Sequence, residues 1–333
     1  MNGMVRTWIK TGAAGIVCRC LPARSRLPLV VGYHRVVEDF PTSARTSIPS
    51  MLISRRMLEQ QLDWIGLHFR YVSLDELGAA LESGDPSIGR VAAVTFDDGY
   101  RDFYDLAFPL LKRKGIPAAV FVVTSYVGTC NIQTHDKLYA LLARLRPKEA
   151  FRFTRRMLEH NSEDQLQRNI RILESSAPIA SEMFHPFYSL SWEMLERIQR
   201  GGITIGSHTR SHILIPNESS SKAAEELGGS RVELERRLGM QIRHFAYPGG
   251  SFNQNTVTAV AQAGYRFAYT ACTHRDPEYP LLTVPRMLLW ENSCKDSNGA
   301  FSSSIMSCHS HHVFDRWSGC RQRHMGNSGG GEG

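Results

Sequence analysis

The sequence predicts an α/β fold whose parallel strands close into a barrel. Apolar, β-branched runs of strand length, such as residues 91–96, alternate along the chain with segments of helical periodicity, such as residues 57–68. Strands connected through helices in this way are parallel, and they form either a barrel or an open sheet. Candidate site residues directly after several different strands favour the barrel, because a barrel brings the carboxyl ends of its strands to one face. These residues are His34, Asp97, Asp98, His208 and Pro248.

Each predicted element follows from a local pattern. The strand candidates are short apolar runs rich in β-branched and aromatic residues, and they cover residues 27–33, 69–72, 91–96, 116–123, 203–205, 243–247, 265–270 and 282–287. The helix candidates carry apolar residues at helical spacing, and they cover residues 57–68, 74–81, 103–114, 190–200, 225–238 and 254–262. Gly115 and Gly201 directly follow two of these helices, as is typical of helix ends. Residues 39–50 are rich in Pro, Ser and Thr, which predicts a surface loop.

The chain divides into a central body and two appendages. Residues 1–26 form a basic N-terminal segment, and residues 27–292 form the predicted barrel. Residues 293–333 form a C-terminal extension, with a short helix within 301–314 and a tail whose composition predicts disorder. Residues 128–190 contain charge-rich helical segments, and we interpret them as an insertion into the barrel. A solvated helical cover and a lid over a bound substrate both fit that composition.

Composition limits the class of protein. The net charge of +7 comes mainly from residues 1–26, which carry five basic residues and no acidic one, so the body is nearly neutral. A neutral body argues against nucleic acid as a partner. The seven cysteines are scattered without a framework, which indicates reduced thiols rather than a secreted disulfide scaffold.

The N-terminal segment leaves the compartment open. No stretch approaches the ~20 apolar residues that span a bilayer. Residues 12–18 form a short apolar patch between basic flanks, without a good cleavage site after it. A poor signal peptide, a segment lying on anionic lipid and a disordered lead-in all fit this pattern, and we favour the last two. We expect a monomer in the cytoplasm or peripherally associated with a membrane, and export stays open.

Two adjacent carboxylates end the strand at residues 91–96. Asp97 and Asp98 repel each other unless a cation or a shared proton lies between them. Neighbouring residues of an extended chain point to opposite sides, so one carboxylate can ligate a metal while the other handles a proton. Gly99 allows the tight exit that leaves both carboxylates at the strand end. The alternative is a plain strand-to-helix turn with aspartate caps.

Two histidines follow a second strand. His208 and His212 come after residues 203–205 at spacing i and i+4, which on a helical turn places both imidazoles on one face. Together with Asp98 they form a His-His-Asp set with open positions for water, as is typical of a facial metal site.

These two motifs carry a family resemblance. Thr-Phe-Asp-Asp-Gly at 95–99 and Ser-His-Thr-Arg-Ser-His at 207–212 resemble the first two motifs of the polysaccharide deacetylase (NodB homology) family, carbohydrate esterase family 4. The similarity continues in motif order from about Val30 to about Arg286. It implies a distorted (β/α)7 barrel of the polysaccharide deacetylase type, here with a helical insertion.

The resemblance also implies roles for the motif residues. Asp98, His208 and His212 would hold a divalent metal, and Zn²⁺ is the metal we favour. The metal would polarise the acetyl carbonyl and lower the pKa of a bound water. Asp97 would take the proton from that water as the catalytic base.

The third motif departs from the family pattern. Where the family has Arg-Pro-Pro-Tyr-Gly, this chain has Phe-Ala-Tyr-Pro-Gly-Gly at 245–250, so Ala246 replaces the arginine and Gly249 the aromatic residue. A backbone N–H near Gly249 can still stabilise an oxyanion, because that role needs no side chain. We count Tyr247 with Gly249 among the oxyanion and substrate residues.

Three further residues complete the predicted site. Arg286 is a candidate for the missing guanidinium beside Asp97, and an ordinary surface or helix-dipole partner is the alternative for it. His34 resembles the acid histidine of the family branch in which that residue follows the first strand, and a hydrogen-bonded core histidine is its alternative. Trp290 either stacks on a sugar face or packs against the barrel rim.

We therefore expect a metal-dependent hydrolase. Its substrate class would be N-acetylglucosamine-type sugars in a bacterial exopolysaccharide or cell-envelope glycan, so an N-acetylated glycan is its predicted partner. The altered third motif favours an alternative, a catalytically inactive glycan-binding or polysaccharide-assembly protein on the same barrel.

Overall fold

The computed structural model describes residues 28–314, so the predictions for residues 1–26 and for the tail beyond 314 lie outside the described residues. The described strands are β1 Leu29–Tyr33, β2 Arg35–Val37, β3 Leu52–Ser54, β4 Arg70–Tyr71, β5 Val91–Phe96, β6 Ala118–Val122, β7 Thr204–Ser207, β8 His244–Ala246, β9 Phe267–Tyr269 and β10 Met287–Leu288.

Helices connect most of these strands. The α-helices are α1 Phe40–Ser43, α2 Arg55–His68, α3 Leu74–Ser83, α4 Phe108–Lys114, α5 Thr134–Leu145, α6 Ala150–His160, α7 Glu163–Ser176, α8 Trp192–Arg200, α9 Ser220–Leu238, α10 Gln254–Gln262 and α11 Ser303–Ser310. Ser54 caps α2 and Ser73 caps α3, and Gly115 in the left-handed conformation ends α4. Among residues 28–314, every helix is too short or too polar to cross a bilayer.

The main sheet is parallel and nearly closed. Its strand order is β10-β1-β5-β6-β7-β8-β9, with β4 also paired to β5. At the open side, Tyr269 of β9 pairs with Val284, and Val31 of β1 pairs with Met287. The segment from 284 to 288 therefore joins both edges of the sheet. The result confirms the predicted distorted (β/α)7 barrel, with α5, α6 and α7 between β6 and β7.

Residues of the barrel strands alternate between two cores. Along β5, Ala92, Val94 and Phe96 contribute to the core that packs against the outer helices. Ala93 belongs to the inner core with Phe121 and other residues of alternate strand positions. The same alternation carries Asp97 to the inner side at the carboxyl end of β5.

The local structure differs from the predictions in several places. Residues 39–50, predicted as a loop, contain α1 and the start of a 3₁₀ turn at Pro49–Met51. The pair β2 and β3 forms a separate two-stranded parallel sheet that no pattern in the sequence indicated. The predicted helix 103–114 begins with a π-helical turn at Phe103–Ala107, and only Phe108–Lys114 is α-helical.

Candidate metal centre

Three side chains from two strand ends meet at the barrel mouth. Asp98 follows β5, and His208 and His212 follow β7. Asp98 Oδ1 lies 3.4 Å from His208 Nε2 and 3.1 Å from His212 Nε2. One ligand atom from each of the three residues lies within 4.8 Å of the other two. The structure thus brings together the residues predicted to hold a metal.

The polar atoms of this cluster fit a cation. Both carboxylate oxygens of Asp98 are buried, and within the described residues neither accepts a hydrogen bond. His208 Nδ1 lies 2.8 Å from the carbonyl oxygen of Ala246, and because that carbonyl only accepts, Nδ1 carries the proton. His208 therefore turns Nε2 towards the Asp98 carboxylate, and a divalent cation bound between Nε2 and the carboxylate would satisfy both groups.

The Asp98 carboxylate is ionised. Burial disfavours its charged form, but the adjacent His208 and His212 imidazoles outweigh burial and hold the pKa of Asp98 well below its ordinary value. An ionised carboxylate with two imidazoles is a donor set that zinc prefers.

Two of the three predicted metal ligands, Asp98 and His212, have a left-handed backbone conformation. Asp98 has φ 70° and His212 has φ 65°, and Thr209 between the histidines has φ 68°. The prediction that the histidines lie on a helical turn is wrong, because residues 208–212 form a loop. The loop reverses direction through these left-handed residues, and this turn rather than helical periodicity directs both imidazoles to Asp98.

Asp97 is held by Arg286. Two parallel hydrogen bonds, from Nη1 to Oδ1 and from Nη2 to Oδ2, are each 2.7 Å long, and Arg286 also donates to the Thr95 hydroxyl and the Thr270 carbonyl. The Arg286 side chain is only 1% exposed, which contradicts the surface-partner alternative. Burial opposes ionisation of Asp97, but Arg286 and His208 outweigh it and lower the pKa of Asp97. Asp97 is therefore a carboxylate at neutral pH.

His34 lies directly after β1, near both aspartates. Burial lowers the pKa of His34, and the nearby Asp98 and Asp97 only partly oppose that shift. Its imidazole is therefore neutral at neutral pH and can accept a proton before it donates one.

The two third-motif residues predicted to contact substrate, Gly249 and Tyr247, differ in exposure. Gly249 is exposed, has φ 61°, and follows β8 at the same end of the sheet as Asp97. The Tyr247 side chain is fully buried, its hydroxyl donates to the Leu282 carbonyl, and its N–H donates to the Tyr269 carbonyl, so its role towards a substrate stays a prediction.

Trp290 is half-buried beyond β10. Its backbone N–H donates to the Ser293 hydroxyl. The contacts described for Trp290 within residues 28–314 involve none of the metal-centre residues, so a role in sugar stacking stays a prediction.

Buried polar residues at the start of α5 contact residues of the metal centre. These contacts were not predicted from the sequence. The Gln133 amide donates to the backbone carbonyl of Asp98 at 3.0 Å, and the His135 ring lies 4.5 Å from the His212 ring. The Tyr100 hydroxyl donates to Asp136 at 2.5 Å. The sequence feature that could have indicated these contacts is the run of polar residues at 133–136, just before the apolar positions of α5. These contacts tie the helical segment between β6 and β7 to the site.

Asp136→Asn is expected to stabilise the metal-free protein above neutral pH. Burial raises the pKa of Asp136 to about 7, although Arg35 and the Tyr100 hydrogen bond oppose the shift. The folded state therefore binds more protons than the unfolded state between about pH 4 and pH 7, and Asp136 costs stability as the pH rises through that window. Urea unfolding should show a gain for the variant on the order of 3 kcal/mol at pH 8 that vanishes near pH 4.

Asp164→Asn is the matched control, because Asp164 is exposed on α7. Its unfolding free energy, measured at pH 5 and pH 8, gives the reference for removing a carboxylate from the surface of the same helical segment. A constant difference between Asp136→Asn and wild type over the same range would show that Asp136 titrates normally.

Comparison with known proteins agrees with this geometry. The model of the polysaccharide deacetylase family matches residues 84–268, more than half of the chain. A poly-β-1,6-N-acetyl-D-glucosamine N-deacetylase from Staphylococcus epidermidis is 23% identical over 296 residues, which cover 83% of this chain and 81% of that protein. Its counterpart from Staphylococcus aureus is 21% identical over 308 residues, covering 89% and 84%.

Solved structures share the fold. IcaB from Ammonifex degensii superposes with a TM-score of 0.57 at 22% identity, covering 85% of this chain and 96% of that one. The Streptococcus pyogenes deacetylase PplD, solved with acetate, gives a TM-score of 0.56 at 19% identity, covering 80% and 93%. The family match includes both aspartates and both histidines of the metal centre, while His34 and Arg286 lie outside it. The predicted family and enzyme class are confirmed: this chain belongs to the polysaccharide deacetylase family.

Proposed function

We propose that this protein removes N-acetyl groups from N-acetylglucosamine-type sugars of an exopolysaccharide or cell-envelope glycan. The observation that carries the proposal is the buried Asp98 carboxylate, which accepts no hydrogen bond within residues 28–314 and lies between two imidazoles and beside a second, ionised aspartate. The staphylococcal relatives, which act on poly-β-1,6-N-acetyl-D-glucosamine by name, support the substrate class.

Asp98, His208 and His212 would hold the metal, which we propose to be Zn²⁺. When bound, zinc polarises the acetyl carbonyl and lowers the pKa of water. Asp97, fixed by Arg286, takes the proton from the attacking water.

Two other groups complete the reaction. The exposed backbone N–H of Gly249 donates to the oxygen on which negative charge develops. The neutral His34 imidazole receives from Asp97 the proton taken from water and delivers it to the amine nitrogen as the C–N bond breaks. Acetate and a free amino sugar are the products.

The alternative of a catalytically inactive glycan-binding protein rested on the missing motif arginine. Arg286 reaches Asp97 from the segment before β10 and supplies the same pair of bonds, so this support for inactivity is lost.

Asp98→Ala is expected to abolish both zinc binding and acetate release. The variant removes the charged ligand and leaves two imidazoles, which are too few donors for a zinc site. The test measures zinc content of purified protein and acetate released from poly-β-1,6-N-acetyl-D-glucosamine and from chitooligosaccharides. Chelator should stop release by the wild type, and added Zn²⁺ should restore it.

Asp105→Ala is a suitable control, because Asp105 is a half-exposed aspartate ion-paired with Arg101 on the π-helical turn. It should keep full zinc content and activity. Acetate release by the Asp98→Ala variant at the wild-type rate would contradict the proposal, and a wild type that releases no acetate from any acetylated glycan would favour the inactive alternative.

A further inference from the structure

The loop between the two histidine ligands is held by a carboxylate from outside the motifs. Glu226 of α9 is buried, with 2% of its surface exposed, and faces the loop at residues 208–212. Its Oε2 accepts hydrogen bonds from the backbone N–H groups of Arg210 at 2.8 Å and Ser211 at 2.9 Å. Its Oε1 accepts from the Ser211 hydroxyl at 2.7 Å.

These bonds act where the loop backbone is least favourable. Thr209 and His212 are both left-handed, and a non-glycine residue in that region costs about 1 to 3 kcal/mol when the surroundings do not enforce it. The loop has other supports at its ends: the Thr209 hydroxyl accepts from the His212 N–H, the His208 N–H donates to the Val122 carbonyl, and the Thr124 and Ser125 N–H groups donate to loop carbonyls. Glu226 therefore provides the acceptors for the two amides in the middle of the loop.

Helix packing alone does not account for a carboxylate at this position. Glu226 lies on the face of α9 that also buries Ala223, Leu227 and Ser230. An apolar side chain would pack there without the cost of burying a charge. The carboxylate is compensated by its bonds to the loop, with Lys222 Nζ 3.6 Å away as a further partner.

We propose that Glu226 is a positioning residue for the metal centre: its carboxylate fixes the loop so that His208 and His212 both present Nε2 to the ion. This inference rests on the proposed metal site. Glu226 does not contact the ion or the substrate. Its hydrogen bonds stabilise the loop in the binding conformation before the ion binds, and this raises the affinity of the site for the metal.

The experiment measures zinc affinity of metal-free protein by competition with a chromogenic chelator. Glu226→Ala should weaken zinc binding about 10- to 100-fold, as is typical when a partner that orients metal ligands is removed. Glu226→Gln should stay within about threefold of wild type, because its amide oxygen still accepts from both N–H groups and its NH₂ can donate to the Ser211 hydroxyl. Hydrogen exchange at the Arg210 and Ser211 amides should be faster in Glu226→Ala only.

Glu225→Ala is the matched control. Glu225 precedes Glu226 on α9 but is exposed and pairs with the side chains of Arg210 and Lys222 rather than with the loop backbone. It removes the same charge from the same helix, so its zinc affinity should equal that of wild type.

The outcomes separate positioning from plain stabilisation. If Glu226→Ala lowers the melting temperature of the metal-free protein but leaves the zinc affinity of the folded fraction unchanged, Glu226 only stabilises the fold and the inference is wrong. If Glu226→Ala does not fold, Glu226→Asp takes its place, since the shorter side chain keeps the charge but cannot reach all three donors. An unchanged zinc affinity of folded Glu226→Asp would then overturn the inference.

The result also distinguishes this inference from the proposed function. Wild type that binds zinc and Asp98→Ala that does not would leave the proposed function intact, whatever Glu226 does. Wild type that binds no zinc would overturn both.

Discussion

Asp97→Asn is expected to lower kcat for acetate release about a thousandfold while zinc affinity stays at the wild-type level. The amide cannot take a proton, and general base catalysis by a positioned side chain typically contributes 10²- to 10⁴-fold. Zinc affinity should be unchanged because the Asp97 carboxylate is bonded to Arg286 and lies outside the cluster of Asp98, His208 and His212. Steady-state kinetics and zinc competition on the same preparation give both numbers.

The variant also weakens a buried ion pair, so a control must do the same elsewhere. Asp102 forms such a pair with Arg35 at 3.0 Å and accepts the Val36 N–H. Asp102→Asn removes the charge of a comparable buried aspartate but should keep kcat within about threefold, since Asp102 lies outside the metal centre. If both variants lose activity in parallel, the effect of Asp97→Asn reflects damage to the fold. If Asp97→Asn keeps more than about a tenth of kcat, Asp97 is not the base.

The convergence of the site was predictable because it follows from strand direction alone. In a parallel barrel every strand delivers the residue after its carboxyl end to the same mouth, so the positions of Asp98 and His208 relative to apolar runs were sufficient. The buried alternation of β5 likewise assigns Asp97 and Asp98 to different directions.

The loop geometry was not predictable in the same way. The spacing of His208 and His212 is equally compatible with a helical turn and with a loop, and the left-handed conformations that decide between them occur at Thr209 and His212, which carry no glycine signal. What stabilises that loop is Glu226, whose sequence neighbourhood shows only a charged helix.

Side-chain partners far apart in the sequence were also beyond prediction. Gln133 bonds to the carbonyl of Asp98 across 35 residues, and nothing local to Gln133 indicates that target. Tyr247 adjoins Gly249 in the motif, but its ring packs in the core under the outer helices and its hydroxyl donates to the Leu282 carbonyl. Proximity in a motif does not determine which face a side chain takes.

Arg286→Met should destabilise the protein by about 3 to 5 kcal/mol, the cost typical of leaving one member of a buried ion pair without its partner. The methionine fills much of the space of the arginine stem but leaves the buried Asp97 carboxylate without its two 2.7 Å donors. Because Arg286 is what lowers the pKa of Asp97 against burial, that pKa should rise in the variant. Urea unfolding at pH 7 measures the stability change, and kcat should fall with it.

Arg266→Met provides the comparison that isolates burial. Arg266 also makes paired hydrogen bonds to a carboxylate, that of Glu82, but its side chain is 56% exposed. Its loss should cost about 1 kcal/mol or less, as for other surface ion pairs. If the two variants lose the same unfolding free energy, the buried Arg286–Asp97 pair contributes no more to stability than an exposed ion pair.

A double variant tests whether Arg286 acts through Asp97. In an Asp97→Asn background Arg286 has no carboxylate partner whose charge its loss would leave unpaired, so Arg286→Met should cost clearly less there than in the wild type. A coupling of this sign shows that Arg286 acts through Asp97, as the arginine absent from the third motif would. If Arg286→Met costs the same in both backgrounds, its role is packing against Phe121, over whose ring its guanidinium lies at 5.3 Å.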